Sequence, residues 1–422
     1  MMKMYEGFTK EQLIERKQVL EKRFAQYKAQ NLKLDMSRGK PSKEQLDLAN
    51  GIYQQVTDFI SEDGIDCRNY GIPDGLPEMK RIFAEMLDVA TDEIIIGDSS
   101  SLNMMYDTIA RAYNHGLLGG TPWSRLDKVK FLCPSPGYDR HFAISQLFGM
   151  EMITIPMLQD GPDMDMVEKL VRDDEAVKGI WCVPKYSNPT GVIFSDTVVK
   201  RLAGMKTKAE DFRIFWDNAY SVHHFYEENP LLNILDECEK AGNPNRVFIF
   251  ASTAKISFAG AGVAAMAASR ENIRHALSQI SIQTINPNKV NHLLHARFFK
   301  NYDGIKEHMK KHAEILRPKF EAVTAILKKN LDGLNLAKWS NPRGGYFISL
   351  DVPTGCAKKV VAKAKEAGVT LTPAGATYPY GIDPDDKNIR LAPSFPPMAE
   401  LTQAIEIVCT CIELVALEKV LE

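Results

Sequence analysis

The sequence RVFIFASTAK, residues 246–255, places a lysine directly after a strand-like run of apolar residues. An ammonium is rarely buried unless it is paired or chemically used, because removing its charge from water costs more than burying its stem gains. Lys255 is therefore either a surface lysine that keeps its charge in water or a reactive amine. The segments on either side decide between these two interpretations, and they also define the fold.

Short apolar runs of the same kind recur from about residue 90 and alternate with helical patterns. This alternation predicts an α/β fold with a large, mostly parallel sheet that helices flank on both faces. Ligands of such sheets bind beyond the carboxyl ends of the strands, so the residues that follow each run are the candidates for chemistry. The runs predicted as strands are 129–133, 152–156, 179–183, 212–216, 247–250 and 262–266.

The two chain ends have a different pattern and predict a second, smaller α+β domain. We predict a large domain over residues 61–304 and a small domain formed from residues 1–60 and 305–422. Residues 290–330 predict one long helix, on which His308 and His312 are interpreted as a solvated basic face. The helix near the N-terminus and the last helix each show an apolar face, formed by Leu13, Leu20, Phe24 and Tyr27 and by Leu401, Ile405, Val408, Ile412 and Val415.

Composition excludes several classes of protein. The 422 residues carry 52 basic and 54 acidic side chains, which gives a net charge of −2 with no charged run, so nucleic acid and membranes are poor partners. Seven scattered cysteines without CxxC pairs predict reduced thiols and no zinc site. We therefore expect a cytoplasmic protein without a metal.

Polar side chains that follow the predicted strands supply what a pyridoxal phosphate ring needs. Lys255 can form an imine with the aldehyde, and Asp217 can keep the ring nitrogen protonated, which makes the ring an electron sink. Tyr220 and Asn188 can donate to the phenolic oxygen beside the imine. The phosphate is expected at the start of a helix that follows Ser99, Ser100 and Ser101, with a further hydroxyl from Ser252.

Three motifs in fixed order make a resemblance specific: NPTG at 188–191, DNAY at 217–220 and STAK at 252–255. Together they resemble class I aminotransferases of PLP fold type I. The sequences of the segments PKYSNPTG and AKISFAGAGVAAMA are most similar to those of the divergent bacterial aspartate aminotransferases of subgroup 1c. The GAGVAA segment at 260–265 has the form of a dinucleotide fingerprint, but it is expected to enter a strand instead of opening a helix.

The resemblance implies roles for further residues. It implies that Tyr70 reaches the phosphate of the neighbouring subunit in a homodimer, that Tyr138 stacks on the pyridine ring, and that His141 lies behind Asp217. Arg390 would bind the α-carboxylate of the substrate. The turn at 342–346 also resembles a small-domain motif of the family.

One position departs from the family pattern. Most members place an arginine for the phosphate eight residues after the lysine, where this chain has Val263. The candidates to replace that arginine are the free amides at the helix start, the hydroxyls of Ser100, Ser101, Ser252 and Ser257, and Tyr70 of the partner subunit.

The predicted activity is a ping-pong transamination between an amino acid, expected to be aspartate, and 2-oxoglutarate. A transaminase for alanine or aromatic amino acids, and a lyase or decarboxylase of the same fold, stay open, because cofactor and lysine are shared. A PLP-binding regulatory module is a remote alternative. An acidic substrate needs a cation for its distal carboxylate, and the sequence offers Lys289, slightly favoured, and Arg38.

Overall fold

The computed structural model describes residues 4–422 of the chain. Local signals define where helices begin: Thr9 and Ser42 each form a capping box with the glutamine three residues later. The α-helices are α1 (Lys10–Ala29), α2 (Lys43–Asp47), α3 (Pro77–Leu87), α4 (Ser101–His115), α5 (Asp139–Leu147), α6 (Met164–Asp173), α7 (Asp196–Gly204), α8 (Ile234–Lys240), α9 (Arg270–Gln283), α10 (Lys289–Phe299), α11 (Tyr302–Leu331), α12 (Ala357–Glu366) and α13 (Met398–Leu421).

The strands divide between one large sheet and two small ones. They are β1 (Leu34–Asp35), β2 (Ile94–Ile96), β3 (Lys130–Ser135), β4 (Glu151–Pro156), β5 (Val177–Cys182), β6 (Arg213–Asp217), β7 (Val247–Ser252), β8 (Ala264–Ala268), β9 (Lys338–Trp339), β10 (Ile348–Asp351), β11 (Val369–Thr370) and β12 (Asn388–Leu391).

The large sheet has the strand order β2-β8-β7-β6-β5-β3-β4. Strands β3 to β7 pair in parallel, and β8 runs antiparallel to both of its neighbours. The mostly parallel sheet therefore agrees with the prediction. Because β5, β6 and β7 run the same way, the residues that follow them lie along one edge.

The predicted strand at 262–266 begins two residues later in the structure, at Ala264. Gly262 instead belongs to the turn before β8, and a side chain there would lie 2.9 Å from the backbone nitrogen of Ala254. The glycine therefore allows this turn to pack against the segment that carries Lys255. As expected, the segment enters a strand and does not open a helix.

Residues from both chain ends share one hydrophobic core. Leu13 and Leu20 on α1 pack in the same cluster as α13, and β1 pairs in parallel with β11. A three-stranded antiparallel sheet, β12-β10-β9, lies beside this core and carries Arg390 on its edge strand.

The five residues predicted on one apolar face of the last helix are all buried, and the other faces of this helix are buried as well. Helix α13 is buried almost all round from Ala404 to Leu417, because α1, α11 and α12 all pack against it. Cys409 and Cys411, which lie on different faces, are both buried for this reason.

The single long helix predicted over 290–330 is two helices, α10 and α11. Lys300 between them has φ of 66°, which no helix accommodates, and the Asn301 side chain then accepts a hydrogen bond from Gly304 and begins α11. The interpretation of His308 and His312 as a solvated face was also wrong. Both side chains are buried, because that face of α11 packs against the turn after Lys255.

Within residues 4–422, no helix is long and apolar enough to cross a membrane. The same residues contain no cluster of three or more histidine, cysteine or acidic side chains that could hold a metal ion. All seven cysteines are free thiols in buried positions.

Candidate active site

The edge of the sheet at the ends of β5, β6 and β7 brings three of the predicted residues together. Asp217 is the last residue of β6, and Lys255 is the third residue after β7. Asn188 lies in the loop after β5, and its side-chain oxygen is 3.4 Å from Arg390 of the small sheet. The site is therefore built where the large sheet meets the small one.

Asp217 is a buried carboxylate with one oxygen still free. Its Oδ2 lies 3.0 Å from Nε2 of His141, whose ring stacks on Trp181 at a centroid distance of 4.5 Å. Its Oδ1 is buried and has no hydrogen-bond partner. A buried carboxylate oxygen without a donor is costly, so this atom is placed to accept an N–H from a bound group.

Lys255 lies in the same enclosed space, with its Nζ 5.0 Å from the centroid of the Tyr220 ring. Burial lowers the pKa of this lysine, and the nearby carboxylate of Asp217 opposes that shift only in part. Burial likewise raises the pKa of Tyr220 far above its usual value. Burial therefore favours the uncharged form of both groups, which agrees with the interpretation of Lys255 as a reactive amine.

Tyr138 closes one side of this space. It is the residue before α5, and its ring meets the edge of His141 at a centroid distance of 4.9 Å. Burial, with a further contribution from Asp217, raises its pKa to about 12. Tyr138 thus contacts the same histidine that holds Asp217.

Arg390 forms a cationic site that is only partly occupied by the chain itself. Its Nη1 donates to Asp139 at 2.9 Å, and its Nη2 lies 3.4 Å from the hydroxyl of Thr372. The guanidinium lies over the Phe347 ring at 4.9 Å, while its buried Nε has no partner. The unpaired Nε–H and the neighbouring Nη2 together form the pair of donors that can bind the two oxygens of a carboxylate.

The serines predicted for the phosphate lie at the start of α4. Ser100 caps this helix, because its hydroxyl accepts a hydrogen bond from Asn103, and Ser101 is the first helical residue. Ser99, Ser100 and Ser101 are all partly exposed, as is Ser252 at the end of β7. The first turn of a helix leaves free amides that suit an anion.

Ser257 is not available in the same way. It is buried, and its hydroxyl already bonds to Thr253 and, at 2.8 Å, to Nε2 of His295. Val263, at the position of the missing arginine, is fully buried beside the same threonine. The candidates to replace the arginine within this chain are therefore reduced to the helix start and Ser252.

Tyr70 and Lys289 lie together, and neither contacts the groups around Lys255 in this chain. Tyr70 is 79% exposed. The buried ammonium of Lys289 donates to the carbonyl oxygens of Asn69 and Gly71, which flank that tyrosine, at 2.6 and 2.5 Å. Lys289 therefore holds the Tyr70 loop in place.

Arg38 is exposed but lies in a loop that contacts the partners of Arg390. The carbonyl of Ser37 accepts a hydrogen bond from Thr372 at 2.7 Å. A side chain at Gly39 would come within 2.2 Å of the Phe347 ring, so only glycine lets the loop approach so closely. Within residues 4–422, the Arg38 guanidinium has no hydrogen bond.

Sequence reasoning missed several residues at this site. Tyr346, His223 and Gln45 surround the Lys255 turn, and only the paired glycines before Tyr346 could have indicated this. A side chain at Gly344 would lie 2.2 Å from the carbonyl oxygen of His223, so this turn can reach the site only with glycine there.

Known proteins resemble this chain over nearly its whole length. Residues 8–422 match the family model described as "Aspartate amino-transferase". An aspartate aminotransferase of Corynebacterium glutamicum is 49% identical over 403 residues, which cover 94% of this chain and 93% of that protein. The crystal structure of an aspartate transaminase from the same species has a TM-score of 0.96 at 47% identity, with 99% of each chain covered. An α-aminoadipate aminotransferase from Thermus thermophilus shares the fold at a TM-score of 0.73 and 20% identity, over 94% of this chain and 95% of that one.

Proposed function

The chain belongs to the aspartate aminotransferase family and is an aminotransferase, and from this premise we propose that it uses pyridoxal phosphate to move an amino group between aspartate and 2-oxoglutarate. The observation that carries the proposal is the pairing of a buried carboxylate with a partly buried amine. Lys255 has a lowered pKa, and Asp217 next to it has one oxygen without a donor. An aldehyde that carries a ring nitrogen meets both needs.

The residues fit this cofactor on grounds internal to the chain. The free Oδ1 of Asp217 suits the N–H of a protonated pyridine, and the partly exposed serines at the start of α4 suit its phosphate. Tyr138 supplies an aromatic face beside His141. When bound, pyridoxal phosphate supplies an aldehyde that condenses with amines and a ring that withdraws electrons from the substrate Cα.

The chain itself performs the remaining steps. Arg390 binds the α-carboxylate of the amino acid through Nε and Nη2 and so fixes the orientation of the Cα–H bond. The amine of Lys255, in its unprotonated form, accepts the Cα proton as a general base, and the resulting ammonium gives up that proton later in the same half-reaction. His141 keeps Asp217 in place, because its ring is held by stacking on Trp181. Both half-reactions use the same groups.

Removal of the amine tests the assignment of Lys255. The purified wild-type protein is expected to absorb visible light, and Lys255→Ala is expected to lose that absorbance, because no other amine of the site can take its place. The measurement is an absorbance spectrum of both proteins after saturation with pyridoxal phosphate. Lys185→Ala is the matched control, since this buried lysine also has a lowered pKa, about 8, but lies outside the site. An unchanged spectrum for Lys255→Ala would contradict the proposed function.

The preference for aspartate is proposed from the names of the relatives and from Arg38, whose guanidinium has no hydrogen bond within residues 4–422 although it acts on the carboxylate of Asp35. The sequence favoured Lys289 for the distal carboxylate, but its ammonium already has two carbonyl partners. Arg38 has none, and its loop adjoins Thr372. We therefore propose Arg38 as the residue that distinguishes dicarboxylic substrates from others.

A comparison of donors tests this choice. Arg38→Ala should lower kcat/KM for aspartate by about tenfold or more relative to alanine, because only the dicarboxylate then leaves a charge unpaired. Lys289→Ala should lower kcat/KM for both donors by a similar factor. The reverse pattern would assign the distal carboxylate to Lys289, and equal losses in both variants would show that neither residue recognises the side chain.

A further inference from the structure

We propose that a buried set of side chains positions the turn that carries Lys255, by binding the carbonyl groups of that lysine and of Ile256. The inference rests on the proposed role of Lys255 and adds positioning residues to it. The set, called the carbonyl network below, consists of Gln45, His223, His308, His312 and Tyr346.

The first carbonyl, that of Lys255 itself, has two side-chain partners. The hydroxyl of Tyr346 donates to it at 3.3 Å, and Nε2 of His223 lies at the same distance. The two rings also contact each other edge to face, with centroids 5.5 Å apart. The carbonyl next to the reactive side chain is therefore held from two directions.

The second carbonyl, that of Ile256, is bound by His308 of α11, and His312 lies behind this histidine. Nε2 of His308 lies 2.9 Å from the carbonyl oxygen, and Nε2 of His312 lies 3.1 Å from Nε2 of His308. The same carbonyl acts on the pKa of both rings. His312 thus contacts the histidine that binds the carbonyl.

Gln45 joins the two halves of the network. Its amide nitrogen lies 2.9 Å from the Tyr346 hydroxyl and 3.1 Å from Nδ1 of His312. One N–H of this amide is thus directed at Tyr346 and the other at His312. The amide oxygen accepts a hydrogen bond from the backbone N–H of Ser42. Donation to Nδ1 leaves the proton of a neutral His312 on Nε2, which faces Ile256.

The turn is closed without any of these side chains. The amides of Ile256 and Ser257 both donate to the carbonyl of Thr253, at 2.8 and 2.7 Å. The network therefore serves only the two carbonyls, and it does so with polar side chains that are themselves at least 94% buried. Buried polar groups are costly unless they are paired, so the pairs made here favour one arrangement of the turn, although Nδ1 of His223 is buried without a partner.

The donors come from separate parts of the chain. Gln45 lies on α2, the histidines at 308 and 312 lie on α11, and Tyr346 follows the paired glycines of the small sheet. Lys255 belongs to the large sheet. Its turn is thus held at a junction of several elements, and a shift of any of them changes the position from which the amine reaches into the site.

Tyr346→Phe and Gln45→Leu test the network, with Thr410→Val as the matched control. Tyr346→Phe keeps the ring and removes the hydroxyl, whereas Thr410→Val removes one buried hydrogen bond on α13. Hydrogen exchange of the backbone amides at 251–262 is measured in the cofactor-free chain. The pH midpoint of the visible absorbance and the rate of the first half-reaction are measured in the loaded protein.

Tyr346→Phe and Gln45→Leu should each speed hydrogen exchange at residues 251–262 by about tenfold. Each should also shift the pH midpoint of the visible absorbance. The rate of the first half-reaction should fall by a larger factor than the KM for the amino donor changes. The double variant should lose no more than the worse single variant, because both changes break the same network. Thr410→Val should change none of these at a similar loss of thermal stability.

The inference is overturned if exchange and the absorbance midpoint in Tyr346→Phe match those of Thr410→Val, since the network would then only stabilise the fold. It is also overturned if the two single effects add in full. Exchange is read without cofactor, so a wild-type protein that binds no pyridoxal phosphate would refute the proposed function and still leave this test decisive.

Discussion

Asp217 shows how a buried carboxylate with one unpaired oxygen can serve as a binding group. Its Oδ2 is held by His141, while its Oδ1 is buried with no donor. A carboxylate in this state is stabilised when a positively charged N–H binds, because the free oxygen then gains a charge-assisted hydrogen bond. The same residue raises the pKa of Lys255 against the effect of burial.

Replacement of this carboxylate should separate binding from chemistry. We expect Asp217→Ala to retain cofactor but to lower kcat by about a thousandfold or more, on the order of 4 kcal/mol of transition-state stabilisation, because the ring nitrogen would lose its proton. The measurement is steady-state kinetics together with the cofactor content of the purified variant. Asp211→Asn is the control, since this carboxylate lies before the other end of β6 and pairs with Lys178. Near-normal turnover of Asp217→Ala would assign the role to another group.

Helix α11 shows that an element can carry buried polar groups on a face that its sequence marks as solvated. His308 and His312 are surrounded by lysines in HMKKH, yet both point into the structure, toward the Lys255 turn. Burial lowers the pKa of both rings, that of His312 to about 3 with a further contribution from His308. Both histidines are therefore neutral in the folded chain at neutral pH.

The buried histidines of α11 should lower the free energy of unfolding as the pH falls. The unfolded chain takes up protons on these histidines below about pH 6.5, whereas the folded chain does so only at lower pH, so the unfolded state is favoured as pH falls. At pH 5.5, each histidine that stays neutral in the folded state lowers the free energy of unfolding by about 1.4 kcal/mol. We expect the urea midpoint of the cofactor-free protein to drop between pH 7 and 5.5, and His312→Gln to reduce the slope of that drop. Equal slopes in the two proteins would show that His312 is protonated when folded.

At the scale of the whole molecule, the surface carries large exposed side chains that contribute to no site or core within one chain. Tyr70 is 79% exposed, although Lys289 holds the loop on both sides of it. Leu147 is 71% exposed, and it lines a cavity of about 650 Å³ that also reaches Ser99 and Ser100. Large exposed apolar side chains beside a proposed phosphate site favour a second copy of the chain as their cover.

Complementation between two variants tests the proposed homodimer. A Tyr70→Phe chain and a Lys255→Ala chain, each weakly active or inactive, are unfolded together and refolded. If Tyr70 acts in the neighbouring site, each mixed dimer has one intact site and one doubly altered site, and activity should return to about a quarter of the wild-type value. Refolding each variant alone is the control. An active monomer in light scattering, or no gain on mixing, would contradict the shared site.

The sequence by itself determined the family, the aminotransferase function and the mostly parallel sheet, and all three are confirmed. The family and the function followed from the resemblance of the ordered motifs NPTG, DNAY and STAK. The sheet followed from the apolar runs before Asp217 and Lys255, whose period and length are visible in the chain, and parallel strands place their ends on one edge. The individual roles of the predicted site residues and the domain limits stay predictions.

Only the tertiary structure decided what lies behind that edge. His308, Gln45 and Tyr346 are far apart in sequence and meet at the Lys255 turn through long-range packing. Charge on neighbouring residues predicted solvent for the histidines, but burial depends on which element packs on a face, and that is a property of the assembled chain. For the same reason the sequence favoured Lys289 as a free cation, and packing against the Tyr70 loop gave its ammonium two carbonyl partners.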